Sequence, residues 1–230
     1  MRGIVLHKIK YKDTRDIVYL YTDAKGRKTY IFNHNNKSGH LYPLSLIEFE
    51  SNERHKADMQ YIKEFVLSPV LPEIFSNIRK SAPAMFIGEF LYRVLKEEGL
   101  NINLFEFISK SINLLDVMRE GVANFHLHFL VQLPKYLGFA IPSNINGFDY
   151  FDIKACKFVI IKPLHPQFFD RGNTQILTEL LDLPYDRLDD LKLSGLQRVD
   201  FLNNMLDFYS FRYDFNLVMK SLSVLHETFC

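Results

Sequence analysis

GIVLHKIKYKDTRDIVYLYTDAKGRKTYI, residues Gly3–Ile31, is the stretch that decides the fold. Its apolar residues recur with period two. In Gly3–Lys10, Ile4 and Leu6, extended by Lys8, point one way, while Val5, His7 and Ile9 point the other. Ile17–Thr22 (IVYLYT) and Thr29–Asn33 (TYIFN) continue the pattern. The DAKGR connection between them, Asp23–Arg27, reads as a hairpin whose Gly26 supplies a positive φ. A polar loop, Asn33–Pro43, then leads to two more strands, Leu46–Glu50 (LIEFE) and Met59–Leu67 (MQYIKEFVL). Five short strands make a small β-barrel. The spacing fits a five-stranded OB-type Greek key and leaves an SH3-like barrel open.

From Ser68 the period changes. Pro69 and Pro72 end the strands, and Ser81-Ala82-Pro83 is expected to reset the chain at a helix start. In Ala84–Glu98, Phe86, Ile87, Phe90, Leu91, Val94 and Leu95 fall on one helical face, and Gly99 reads as the stop. Leu104–Arg119 repeats the pattern. Asn124–Leu137 is apolar nearly all round, which predicts a central helix ended by Gly138. Tyr150–Asp152 and Lys157–Ile161 predict a short hairpin, and Gln175–Leu181, Arg198–Phe211 and Leu217–Phe229 predict helices. The class is therefore α+β. An OB-type barrel over 1–68 precedes a helical domain over 69–230, with a small inserted subdomain at about 140–170.

The chain has 230 residues, 47% hydrophobic and 24% charged, an ordinary balance for a soluble globular protein. Its two cysteines, Cys156 and Cys230, cannot build a disulfide framework or a four-cysteine zinc site, and read as reduced thiols. No run approaches the ~18 apolar residues of a membrane span. The apolar run near Met1 is too short for a secretory signal, so a cytoplasmic protein is expected.

Charge carries the functional signal. Up to residue 40 stand nine basic residues against Asp13, Asp16 and Asp23, about +6, in a chain whose net charge is +1. Lys8, Lys10, Lys12 and Arg15 surround the first strand's exit, and Lys25, Arg27 and Lys28 cluster at a hairpin tip. Lys37 lies in the following loop, and Tyr11, Tyr21 and Tyr30 are interleaved. Cations neutralise phosphates with counterion release, and tyrosines stack on unpaired bases. The bland reading is a solvated barrel surface.

Motifs of catalysis are missing. There is no P-loop, G-x-G-x-x-G, H-E-x-x-H or G-x-S-x-G. His126 and His128, two apart on a helix, point about 200° from each other and cannot share a metal there. His165 stands alone between prolines, and Asp182, Asp186, Asp189 and Asp190 read as solvated linker charges. Neither enzymatic activity nor a cofactor is expected.

Gly3–Ile31 resembles the opening of the RecO family of bacterial recombination mediators, with its G-I-V-L start and charged turn. The likeness continues through AMFIGEFLYRVLKEE (Ala84–Glu98), EGVANFHLHFLVQLPKYLGF (Glu120–Phe139) and VMKSLSVLHETF (Val218–Phe229), and is greatest to the Bacteroides-group version. The resemblance implies an N-terminal OB domain, a helical domain and an inserted subdomain. It further implies binding of single- and double-stranded DNA and annealing of complementary strands. With RecR, such a protein helps load RecA onto DNA coated with single-stranded DNA-binding protein. Many members carry a four-cysteine zinc site after the L-G-(F/Y) helix. Here that segment holds only Cys156, so no metal is expected, and a hairpin held by Tyr150, Phe151, Phe158 and Ile160 takes its place. The loop after the third strand is also shorter and less basic than usual. DNA contact is therefore expected from Lys8, Lys10, Lys12, Arg15, Arg27 and Lys28. An interaction scaffold is the alternative: the barrel docks a partner such as RecR while the helical domain captures the acidic tail of single-stranded DNA-binding protein, with Arg212 and Lys220, near the C-terminal helix, as candidates for such a contact.

Overall fold

A computed structural model describes residues 1–33, 41–52, 60–95 and 99–229. The chain forms two compact units, Met1–Val117 and Met118–Cys230.

In the first unit β1 (Arg2–Lys12), β2 (Arg15–Thr22), β3 (Gly26–Asn33), β4 (Leu46–Asn52) and β5 (Gln60–Leu67) close a barrel in the order β1-β2-β3-β5-β4. β3 and β5 pair in parallel, and β1 closes on β4 antiparallel. This order is the OB topology and settles the choice against an SH3-like barrel. Alternation puts Val5, Val18, Leu20, Tyr30, Phe32, Ile47, Phe49, Ile62 and Phe65 inside. Tyr30 meets Phe49 and Phe32 meets Phe65 edge-on, each pair at 5.1 Å between ring centroids. Gly26 takes φ +64 in the β2–β3 turn as expected. Thr22 fixes that turn, its Oγ1 accepting from the Lys25 N–H and donating to the Gly26 carbonyl, both at 3.0 Å.

Three helices complete this unit: α1 (Pro72–Ser76), α2 (Ile78–Val94) and α3 (Ile102–Val117). The expected restart at Pro83 is corrected. Asn77 caps α2, its side chain accepting from the Arg79 N–H, and Pro83 sits inside the helix. A proline there forfeits one i→i−4 bond, which the burial of Phe86, Ile87, Phe90 and Leu91 outweighs. Lys80 is buried, with Nζ donating to the Asp116 carbonyl and lying 3.6 Å from Glu73. The Asp116 carboxylate accepts from the Ile74 N–H at 2.8 Å, so this polar set joins the three helices.

In the second unit α4 (Val122–Gln132) is buried almost all round and continues into a 3-10 turn, Leu133–Lys135. Around it stand α5 (Arg171–Asp182), α6 (Gly195–Tyr213) and α7 (Leu222–Phe229). Ser194 and Gln197 form a capping box at α6, and Asp170 caps α5. Asn124 donates to the carbonyls of Leu188 (3.0 Å) and Leu191 (2.7 Å), fixing the 188–191 segment to α4.

The insertion is a three-stranded sheet, β7-β6-β8: β6 (Tyr150–Asp152), β7 (Lys157–Val159) and β8 (Phe168–Phe169). Two expectations are corrected here. β7 ends before Ile160, which is exposed and not part of the packing, and β8 is an added strand. Phe151 is the centre of this small core, 5.0 Å from Phe158 and 5.6 Å from Phe169. The segment does not suit a zinc ion, because among the described residues no three His, Cys, Asp or Glu side chains stand together.

Candidate nucleic-acid interface

The strand registers sort the basic residues into two groups. Lys8 lies opposite Val18, Lys10 opposite Asp16 and Lys12 opposite Arg15, gathering four cations toward the β1–β2 turn. Arg27 lies opposite Tyr21, and Lys28 opposite Leu20, at the other end of β2. Arg15 and Tyr21 are separated by roughly 20 Å of strand at about 3.3 Å per residue.

The first group has the better geometry for a polyanion. Lys10 is exposed, Lys8 and Arg15 are half-buried, and the Arg15 guanidinium lies 5.8 Å from the centre of the Tyr61 ring. Tyr11 and Ile9 are exposed beside them. A ring, an aliphatic side chain and several cations therefore share one ribbon end, where phosphates and unpaired bases can be met together.

Arg27 lies at the β2–β3 hairpin end, but its side chain is engaged. Its guanidinium is not a free charge at a hairpin tip. It donates to the Tyr92 carbonyl at 2.8 Å and lies over the rings of Tyr92 (4.8 Å) and Tyr19 (5.4 Å). His7 packs at a tilt against the same Tyr92 ring, 4.6 Å between centroids. Desolvation lowers the Arg27 pKa, consistent with a guanidinium held between Tyr19 of β2 and Tyr92 of α2. Arg27→Ala is accordingly expected to destabilise the protein by about 1–2 kcal/mol in chemical denaturation through lost packing and hydrogen bonding. Its effect on DNA affinity should be small once folding is restored by temperature.

Arg2 is also engaged, 3.0 Å from Asp23 and 2.7 Å from Glu106, and these bonds, Glu106 first, raise its pKa. Lys28 is exposed, and Lys37 lies outside the described residues. Arg212 is engaged in the same way as Arg27. It donates to the Ile153 carbonyl at 2.9 Å and lies over Phe208 and Phe211, tying α6 to the insertion. Lys220 is exposed ahead of α7.

A second charge feature of the barrel, carried by β4 and β5, was not read from the sequence. Glu48, Glu50 and Glu64 line a concavity of about 490 Å³ with Met1, Phe32, Phe49, Lys63, Phe65 and Val66. Glu50 and Glu64 are direct cross-strand partners, an arrangement of like charges that costs stability. The signal was present as the alternating glutamates of LIEFE. The β4–β5 strands thus carry the acidic counterpart of the basic β1–β2 ribbon end.

His126 and His128 are both buried, in different surroundings. His126 stacks on Phe229, whereas His128 Nε2 lies 2.8 Å from the Leu183 carbonyl and its ring meets Tyr185 at 4.1 Å. Burial lowers their pKa values to about 3 and about 4. Both stay neutral in the folded chain while the unfolded chain takes up protons below about pH 6.5, so stability must fall with pH from there down toward pH 4. Between about pH 7 and pH 5 the loss is on the order of 3 kcal/mol. Urea denaturation at the two pH values checks it, and His126→Leu should remove part of the difference. Of the acidic linker residues, Asp190 pairs with Arg187 at 2.7 Å and Asp189 with Lys192 at 2.8 Å on the surface.

The fold is that of an OB-barrel protein with an appended helical unit. The family model described as recombination protein O, N terminal, matches residues 1–69, and that for the C terminal matches residues 76–214. The DNA repair protein RecO of Bacteroides fragilis is 34% identical over 237 residues, covering 99% of this chain and 97% of the relative. That of Phocaeicola vulgatus is 34% identical over 234 residues with the same coverages. The Flavobacterium johnsoniae protein is 29% identical over 235 residues, covering 99% and 98%. The chain belongs to the RecO family of DNA repair proteins, whose general role is recombination repair.

Proposed function

We propose that this chain is a non-enzymatic recombination mediator that binds single- and double-stranded DNA and anneals complementary strands. The observation that carries the reading is the gathering of Lys8, Lys10, Lys12 and Arg15 at one ribbon end of an OB barrel, with Tyr11 and Tyr61 beside them. Cations on that ribbon neutralise phosphates and reduce repulsion between two strands. The aromatic side chains hold bases until pairing replaces the contact. Contact to the backbone makes binding depend on strandedness and not on sequence. Lys28 extends the surface, and the glutamates of β4–β5 direct DNA away from that side. In the cytoplasm the chain acts with RecR to help load RecA onto DNA covered by single-stranded DNA-binding protein.

Annealing of complementary strands coated with single-stranded DNA-binding protein tests this. The full chain should accelerate pairing at low salt, and a Lys8→Glu/Lys10→Glu chain should not. Equal acceleration by both would reject the assignment.

A second reading is favoured by the engagement of Arg27 and by the acidic β4–β5 strands. There the barrel docks RecR, and the helical unit, with Lys220 exposed, holds the tail of single-stranded DNA-binding protein. Under that reading the chain alone has weak DNA affinity that hardly changes with salt.

A further inference from the structure

The last helix, α7, is held to the second unit by polar groups as much as by apolar ones. Leu225 is its one buried residue, and Phe229 stacks on His126 of α4 at 6.3 Å between centroids. Arg198, in the first turn of α6, reaches across to it. One guanidinium nitrogen donates to the Phe229 carbonyl and another to the Leu193 carbonyl, both at 2.7 Å. The side chain thereby clamps the end of α7 to the start of α6, and both acceptors are neutral.

Between α4, α6 and α7 lies a small cavity of about 10 Å³, room for about one water-sized particle. His126, Arg198 and His226 border it, together with Val199, Leu202 and Phe229. Each of the three helices thus turns a basic side chain to one spot, and among the described residues no carboxylate borders it. Burial first, then the proximity of Arg198 and His226, lowers the His126 pKa to about 3, the mark of a site with positive potential.

Two nitrogens here are left over. Arg198 Nε, the third donor of the guanidinium, is buried with no hydrogen-bond acceptor, and Nε2 of His226 is buried with no partner. A buried N–H without an acceptor is costly, and a guanidinium keeps its charge. The cavity therefore lacks both an acceptor and a counter-charge. Water supplies the first and not the second.

We propose that this cavity is a halide site, in which a chloride ion accepts from Arg198 Nε–H and His226 Nε2–H and pins α7 to α6. His226 donates there as its neutral Nε2–H tautomer. Size selects the ion. A monatomic anion is close to a water in bulk, whereas phosphate, sulfate and carboxylates bring several heavy atoms. The slightly larger chloride is admitted by a small outward shift of α7, which rests on a single buried side chain. Docking of the C-terminal helix is then a function of chloride concentration, because only the docked helix completes the site.

Hydrogen exchange of the full chain in sodium chloride and in sodium gluconate, at equal ionic strength and pH, reads the effect. At chloride about ten times its dissociation constant the amides of α7 should exchange about ten-fold more slowly than in gluconate, since a ligand of the docked state suppresses opening by one plus that ratio. Bromide should act like chloride, and the amides of α5 should not respond. Val199→Leu, which fills the cavity, and His226→Leu, which removes one donor, should each lose the difference between the salts while leaving Arg198 and its two carbonyl bonds in place. Crystals of the unaltered chain soaked in sodium bromide give the direct measurement, an anomalous peak beside Arg198 Nε and His226 Nε2. Equal exchange of α7 in the two salts, a chloride effect that survives in both variants, or a water in place of bromide at this spot overturns the proposal.

Discussion

A chain carrying Lys8→Glu, Lys10→Glu and Arg15→Glu together is expected to lose at least about 100-fold in affinity for a single strand at low salt. The slope of log affinity against log salt should flatten by about two, since each phosphate contact on a single strand contributes about 0.7. The three residues belong to one ribbon end, as the pairing of Lys8 with Val18, Lys10 with Asp16 and Lys12 with Arg15 requires. Reversal both removes counterion release and places carboxylates against phosphates. Glutamine at the same positions should give the same flattening with a smaller loss. The substituted chain should remain folded, because none of the three side chains lies in the barrel core. Fluorescence anisotropy across a salt series reads both quantities, and loss for only one DNA sequence would contradict backbone recognition.

The second large effect is one of stability. Gly121→Ala is expected to destabilise the second unit by about 2–4 kcal/mol. Gly121 has φ +71, and an added Cβ would stand 2.8 Å from the Asp189 nitrogen and from Leu188 Cβ. The obstructing atoms are backbone or a Cβ that moves only with its backbone, and Asn124 holds that backbone through the Leu188 and Leu191 carbonyls. Relief by a small shift is therefore blocked. Gly138 and Gly147 are the internal comparison. Their φ values are +84 and +63, yet an added Cβ meets nothing within 4 Å at either. Alanine there should cost only about 1 kcal/mol, the backbone penalty alone. Urea denaturation of the three variants separates the clash from the strain.

These contrasts also mark how much was legible in the sequence. The barrel was readable because alternation is local and Gly26 announces its turn, and strand order then followed from the closing pairs. The helix start at Ile78 was hidden by Pro83, a strong breaker whose lost hydrogen bond is outweighed by the burial of α2. β8 is only Phe168–Phe169, close after Pro166, too short to show a period. The basic ribbon end was legible because its residues are neighbours in sequence. The engagement of Arg27 was not legible because its acceptor, the Tyr92 carbonyl, is 65 residues away. That of Arg212 was hidden for the same reason, with its acceptor on Ile153, 59 residues distant. Charge composition counts cations but does not say which of them packing has already engaged.

The central claim is direct capture of DNA by the barrel. Equilibrium binding of the unaltered full-length chain to a labelled ~30-nucleotide single strand over a salt series tests it most directly. The predicted result is tight binding at low salt that falls steeply and linearly on logarithmic axes. Absent binding at low salt, or affinity indifferent to salt, would contradict it and leave the barrel as a docking module for a protein partner.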